Sequence, residues 1–321
     1  MNILVTGATG FIGRFLVQRL CLDEQNNIFC LVRKNSKNIK YLAPFEVKFI
    51  YADITETSFI KEIKDLNLDV IFHCAGYVGN KRKKLYKVNV LGTKNICELA
   101  LKLNIKKMVY LSSVAVVSGN ENLPLVEDLP YKATNIYGIS KIEAEKIVLD
   151  YRKKGLKTVI LRPCMVYGES EPHLLGLFLF LLKYRLFPLV DEGKYKLHLL
   201  YVKNLVEAMI FSLSKEEFTE GTFFVADKEI LTLKEIVDIF TETIKAKSPF
   251  RIPSCLKPML LNLPFLGRRL KFFLKDRIYS IKKLLSLGFK HPYPANLGLR
   301  KSAEFWLKHL RYPFRCFWFI L

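Results

Sequence analysis

The order of apolar and polar residues predicts an α/β fold, a doubly wound parallel sheet with a smaller C-terminal lobe. Three observations predict it. Strand-like runs at 2–6, 28–32, 47–51, 69–74, 107–112 and 157–161 alternate with helical patterns at 11–20, 57–66, 85–103 and 139–153. The first run passes straight into glycines at positions 7, 10 and 13, after which a helix begins. Past Arg162-Pro163 the alternation loosens. The sheet domain is therefore expected over 1–168, with some later segments returning to it. Residues 169–321 are expected to form a basic and apolar substrate-binding lobe, with the substrate cleft between the two.

The first element, Ile3-Leu4-Val5, reads as a short buried strand. A strand that stops at glycines and restarts as a helix presents backbone N–H groups and the positive helix end to an anion. Gly7 allows the tight turn, Gly10 lets the backbone approach a pyrophosphate, and Gly13 lets the helix pack on the sheet. Thr9, Phe11 and Ile12 complete this turn, which is of the Rossmann dinucleotide-binding type. The second strand ends Leu31-Val32-Arg33-Lys34, and no Asp or Glu lies between Ile28 and Tyr41. A carboxylate there would hold the ribose hydroxyls of NAD, whereas a cation accommodates the 2′-phosphate of NADP. NADP is thus the expected cofactor, with NAD as the other candidate; Arg33 and Lys34 read equally as solvated strand ends. Asp53, followed by Ile54, is placed to accept from an adenine amine, and reads equally as the N-cap of a helix starting near Thr55.

Ser113, Tyr137 and Lys141 are the candidate catalytic residues. The string Tyr137-Gly-Ile-Ser-Lys141 leads into a helix, and its i,i+4 spacing puts phenol and ammonium on one face. A neighbouring ammonium favours the phenolate, so Tyr137 is expected to have a lowered pKa and to exchange a proton with a substrate oxygen. Ser113 closes the fifth strand, at the edge where that oxygen would lie.

Composition excludes several classes. The 321 residues are half apolar and a quarter charged, as in globular chains. No uncharged apolar run reaches the roughly 18 residues of a membrane span, and the start lacks a signal-peptide pattern. The seven cysteines form no C-x-x-C pair, which suits reduced thiols and a cytoplasmic protein. No H-x-x-H or Cys/His cluster points to a metal, and His73 reads as a structural residue. The net charge of +21 is concentrated after Lys245, where only Asp276 and Glu304 oppose the cations. Lys81-Arg-Lys-Lys84 lacks interleaved aromatics and reads as a solvated loop rather than a nucleic-acid site. From Arg251 to Arg277, and again at Phe314–Leu321, basic and apolar residues interleave, a pattern compatible with peripheral contact with the inner membrane face.

The chain resembles the extended short-chain dehydrogenases/reductases of the NAD(P)-dependent epimerase/dehydratase family. The motifs that carry the resemblance are Thr6-Gly-Ala-Thr-Gly-Phe-Ile-Gly13, Asp53-Ile54, His73-Cys-Ala-Gly76, Asn89-Val-Leu-Gly-Thr93, Leu111-Ser-Ser113, Tyr137-Gly-Ile-Ser-Lys141 and Arg162-Pro-Cys-Met-Val-Tyr-Gly168. The resemblance implies that Cys74 and Ala75 line the cofactor, that Asn89 lies near it, and that Lys141 also holds the nicotinamide ribose. It implies a homodimer through helices near 85–103 and 139–153, and places Arg185, Lys194 and Lys196 near a sugar-nucleotide diphosphate, although each reads equally as solvated surface. The implied activity is hydride transfer at a secondary hydroxyl or ketone of a nucleotide-linked sugar, as an epimerase or dehydrogenase. Val114-Ala115 after Ser113 disfavours dehydration. Tyr201-Val-Lys-Asn204 resembles instead the 3β-hydroxysteroid dehydrogenase and dihydroflavonol-reductase branches, whose substrates are apolar alcohols or ketones. A non-catalytic NADP-binding subunit is the third reading, against which the intact Tyr137 and Lys141 stand.

Overall fold

Apolar residues with no polar neighbours between them make the N-terminal strand the middle of a sheet buried on both faces. In a computed structural model, which describes residues 1–57, 60–214, 218, 220–262 and 273–309, the strands of this sheet are β1 (Asn2–Thr6), β2 (Asn27–Val32), β3 (Lys48–Tyr51), β4 (Val70–His73), β5 (Lys107–Leu111), β6 (Thr158–Pro163) and β7 (Thr222–Val225). They run in the order β7-β6-β5-β4-β1-β2-β3, and every pairing is parallel. The order reverses between β1 and β4, the crevice where doubly wound sheets bind their ligands. Ile3, Leu4 and Val5 are fully buried.

The helices that follow the first five strands are α1 (Phe11–Leu20), α2 (Ile60–Ile63), α3 (Arg82–Leu85), α4 (Gly92–Lys102) and α5 (Ile136–Lys153). Helix α1 buries Gly13, Leu16, Val17 and Leu20, an i, i+3, i+4, i+7 stripe. A single π turn, Tyr86–Leu91, joins α3 to α4. The helix expected over 57–66 is a single turn among the described residues. The one expected from 85 starts at Arg82 instead. Helix α5 begins at Ile136, earlier than the expected 139, because the Asn135 side chain caps it by accepting from the Gly138 N–H at 2.8 Å.

The chain forms two compact units. The first comprises Met1–Cys164, Leu205–Val225 and Ser280–Lys290; the second comprises Met165–Asn204, Ala226–Tyr279 and His291–Leu321. In the second, α6 (Leu175–Lys183), α8 (Leu233–Thr243) and α9 (Ala295–His309) surround short strand pairs; α7 (Val202–Phe211) starts there and continues into the first unit. Its apolar centre stacks Phe178 on Phe273, with centroids 5.4 Å apart, and sets Phe187 and Phe240 edge-on to Phe178. Its polar centre is Asp227, which accepts from the Tyr167 hydroxyl, the Tyr201 N–H and the Asn204 amide at 2.8–3.0 Å. No helix among the described residues is long and apolar enough to cross a membrane.

What fixes α5 on the sheet is a buried charge. Glu145 is wholly buried and takes a bidentate pair from Arg162, at 2.9 and 2.7 Å, from the end of β6. The same carboxylate accepts from Ser112, just past β5, and from the Tyr131 hydroxyl at 2.8 Å. Arg162 also donates to the Glu127 carbonyl at 2.7 Å, and the Glu127 carboxylate accepts from the Phe224 N–H in β7. Every charge of this network is met by hydrogen bonds, which is the condition for burying one. Arg162→Met should therefore cost about 3–5 kcal/mol in urea unfolding, while Arg162→Met with Glu145→Leu should recover most of that. A single-variant loss below about 1 kcal/mol would contradict the assigned role of the pair.

Candidate active site

The turn after β1 is built by close backbone contact. Gly7 has φ +69°, and its carbonyl accepts from the Gly10 N–H at 2.8 Å. A Cβ on Gly13 would lie 2.1 Å from that carbonyl oxygen, so only glycine lets α1 start this close to β1. The first-turn amides of α1, including those of Phe11 and Ile12, have no partner inside the helix. Thr9 is tied to the segment after β2: its hydroxyl accepts from Ser36 at 3.0 Å and its carbonyl from the Asn38 amide at 3.3 Å. Arg33 and Lys34 precede that segment and are exposed.

Across the crevice, Cys74, Ala75 and Gly76 follow β4. The turn touches them, since a Cβ on Gly7 would meet the Ala75 backbone at 2.7 Å. Gly76 is exposed, and a Cβ there would make ordinary contacts with Asn89 Oδ1 at 3.6 Å and Lys141 Nζ at 3.8 Å. A bare backbone trough thus runs from a helix N-terminus to a buried ammonium, which fits the pyrophosphate and ribose of a dinucleotide. His73 sits beneath it, hydrogen-bonded to Thr6 at 2.7 Å and Thr93 at 3.0 Å. Burial drops its pKa to about 3, so it is a neutral structural residue. Burial pushes the Cys74 thiol up to about 12, against the pull of Lys141.

Ser113, Tyr137 and Lys141 come together at the ends of β5 and α5. The Ser113 hydroxyl caps the turn after β5 by accepting from the Ala115 N–H at 3.2 Å, and it lies close enough to the Tyr137 phenol to favour the ionised form. Lys141 donates to the Leu111 carbonyl at 2.8 Å and to the Tyr110 hydroxyl at 3.3 Å. Burial lowers Lys141 to about 8, opposed by Glu145 one turn along α5. Tyr137 differs from the sequence expectation. Burial pushes its phenol up to about 12, and the Ser113 hydroxyl opposes this; Lys141 donates to the Leu111 carbonyl and the Tyr110 hydroxyl. Asn89, in the π turn, clamps the backbone N–H and carbonyl of Tyr77 at 2.7 and 3.0 Å. It also donates to Ser140 at 2.9 Å, whose hydroxyl donates to the Tyr137 carbonyl. Such single π turns favour functional sites.

Two other expected positions have local duties. Asp53 accepts from the Thr55 N–H at 2.9 Å as an Asx turn, with no helix starting at Thr55. Ile54 is buried, and its carbonyl accepts from Asn95. In the second unit Lys194 pairs with Asp191 at 2.9 Å, while Arg185 and Lys196 are exposed. Residues 263–272 and 310–321, which carry much of the basic and apolar tail pattern, lie outside the described residues. Among the described residues no group of three potential metal ligands occurs. Sequence reasoning missed Glu145 and Tyr131, and the bond from Ser112 to Glu145; the available signal was an acid four residues beyond Lys141, on the face that must point inward.

Comparison with known proteins identifies the family. The model of the NAD dependent epimerase/dehydratase family matches residues 3–226. The UDP-glucose 4-epimerase of Vibrio cholerae is 28% identical over 324 residues, covering 96% of each chain. The decarboxylating sterol-4-alpha-carboxylate 3-dehydrogenase of Candida albicans is 28% identical over 252 residues, 70% of each. Among solved structures, the UDP-glucuronic acid 4-epimerase of Bacillus cereus in complex with NAD superposes with TM-score 0.78 at 22% identity, covering 97% of this chain and 99% of that one. The chain is therefore an enzyme of the NAD-dependent epimerase/dehydratase family, within the extended short-chain dehydrogenases/reductases.

Proposed function

We propose that the chain exchanges a hydride at a secondary hydroxyl or ketone of a nucleotide-linked sugar, with Tyr137 as the acid and base. The observation that carries this is the convergence of Ser113, just past β5, with Tyr137 and the buried Lys141, one helical turn apart on α5, at the carboxyl ends of the strands. The nicotinamide ring, when bound, supplies or takes the hydride. Tyr137 holds the proton at its phenolic oxygen and passes it to or from the substrate oxygen. Ser113 orients that oxygen, held in place by its own bond from the Ala115 N–H. Lys141 places a positive charge beside the trough at Gly76, where it would hold a ribose. Gly7, Thr9, Gly10, Phe11, Ile12 and Gly13 would hold the pyrophosphate, and Cys74, Ala75 and Asn89 the nicotinamide end. The exposed Arg33 and Lys34 support NADP, although the Bacillus neighbour holds NAD. Oxidation or reduction of an apolar secondary alcohol is the second reading, favoured by the Candida relative.

The Tyr137→Phe variant should lose at least about 10²-fold in turnover, the lower end of what a positioned acid/base supplies. Calorimetry should show its cofactor binding unchanged; a loss under tenfold would remove Tyr137 from the mechanism. In one calorimetric series on the native chain, NADP should bind more tightly than NAD, and UDP should give a saturable isotherm. An absent UDP signal would favour the apolar alcohol. Lys141 yields a pH prediction. Its ordinary value is 10.5 and its folded value about 8, so between these the unfolded chain holds the extra proton. Stability from this group is lowest below pH 8 and rises toward 10.5. The stability difference between native chain and Lys141→Met should accordingly grow by about 3 kcal/mol across that window. A flat difference would mean that Lys141 is not desolvated.

A further inference from the structure

The segment from Val78 to Lys87 carries a surface that the chemistry above does not use. Lys81, Arg82, Lys83, Lys84 and Lys87 are all exposed, and no Asp or Glu occurs from Val70 through Cys97. None takes part in the ion pairs found among the described residues. Their place makes this costly. Lys81 caps α3 without a side-chain bond, and the first turn is wholly basic with no acid. Each cation thus repels its neighbours and the positive end of its own helix, where an acid would be favourable. Two apolar side chains project beside them, Val78 at 53% and Tyr86 at 62% exposure. Lys84 lies 4.4 Å over the ring of Tyr77.

We propose that this surface docks on an anionic lipid bilayer. Headgroup phosphates supply the negative charge that the helix start lacks, each nearby Lys or Arg adding roughly a fivefold gain in partitioning. Val78 and Tyr86 supply the aliphatic and aromatic contacts that settle at the headgroup boundary. A nucleic-acid strand fits less well: Tyr77 is covered by Lys84, which leaves Tyr86 as the one exposed aromatic in the segment to stack a base. The surface also adjoins the reaction. Tyr77 is clamped by Asn89, which bonds Ser140, which bonds the Tyr137 carbonyl. A docked bilayer therefore meets a segment that is hydrogen-bonded to the catalytic helix. The proposal is independent of which alcohol reacts.

The test is co-sedimentation of the full chain with phosphatidylcholine vesicles, with and without phosphatidylglycerol. The native chain should bind only the anionic vesicles, and raised salt should release it. Replacing Lys81, Arg82, Lys83 and Lys84 by Gln should cut partitioning by roughly 600-fold. Tyr86→Ser should weaken it severalfold with the charges intact. Unchanged cofactor binding in both variants confirms that they are folded and separates this result from the fate of the catalytic reading. Equal vesicle binding by native chain and four-site variant would overturn the proposal by assigning membrane contact to another segment. Absence of binding to anionic vesicles would also overturn it. So would retention of a single-stranded RNA in place of vesicles, which would assign the patch to nucleic acid.

Discussion

The Glu145 carboxylate is the constraint on which the site depends. It sits on the inward face of α5 one turn beyond Lys141, two turns beyond the candidate acid/base Tyr137, and it is bonded to residues at the ends of β5 and β6. A helix held by apolar contacts alone can slide or roll by fractions of an ångström at little cost, because such contacts have no direction. A bidentate guanidinium–carboxylate pair cannot. The register of α5 against the strand ends is thereby fixed, and with it the approach of the Tyr137 phenol to Ser113.

The same burial that fixes the geometry sets the protonation states. Tyr137 is pushed to about 12 and Lys141 down to about 8, both because burial disfavours their charged forms. The resting phenol therefore carries its proton, the state suited to protonating an alkoxide as a carbonyl is reduced. Glu145 works against burial at Lys141, keeping the amine closer to its cationic form than its surroundings alone would allow. Structural pair and chemical pair are thus one electrostatic system along a single helix face.

Much of this was legible from residue order. Helix α1 and strand β1 have the bounds their periodicity implied, and glycines 7, 10 and 13 form the expected turn. The start of α5 was misplaced because its buried stripe contains Gly138, Ser140, Lys141 and Glu145, which an apolar pattern cannot see. The pKa of Tyr137 was misjudged for a related reason. Spacing on a helix shows that phenol and ammonium share a face, but the ammonium protons go to the Leu111 carbonyl and Tyr110 hydroxyl, partners that are distant in sequence. Asp53 had two readings in the sequence, and its actual bond to the Thr55 amide depends on a turn that starts no helix.

The first unit is assembled from three separated stretches of chain, and this bears on how it is made. Strand β6 pairs with β7, which is synthesised about sixty residues later, and the Glu127 carboxylate waits for the Phe224 amide in that same strand. Until those residues leave the ribosome, the rim of the sheet is an unpaired apolar edge of the kind that recruits other chains. A fragment ending at Cys164 would keep the glycine turn and the candidate residues Ser113, Tyr137 and Lys141, yet would display that open edge permanently. For such a fragment, self-association would compete with folding.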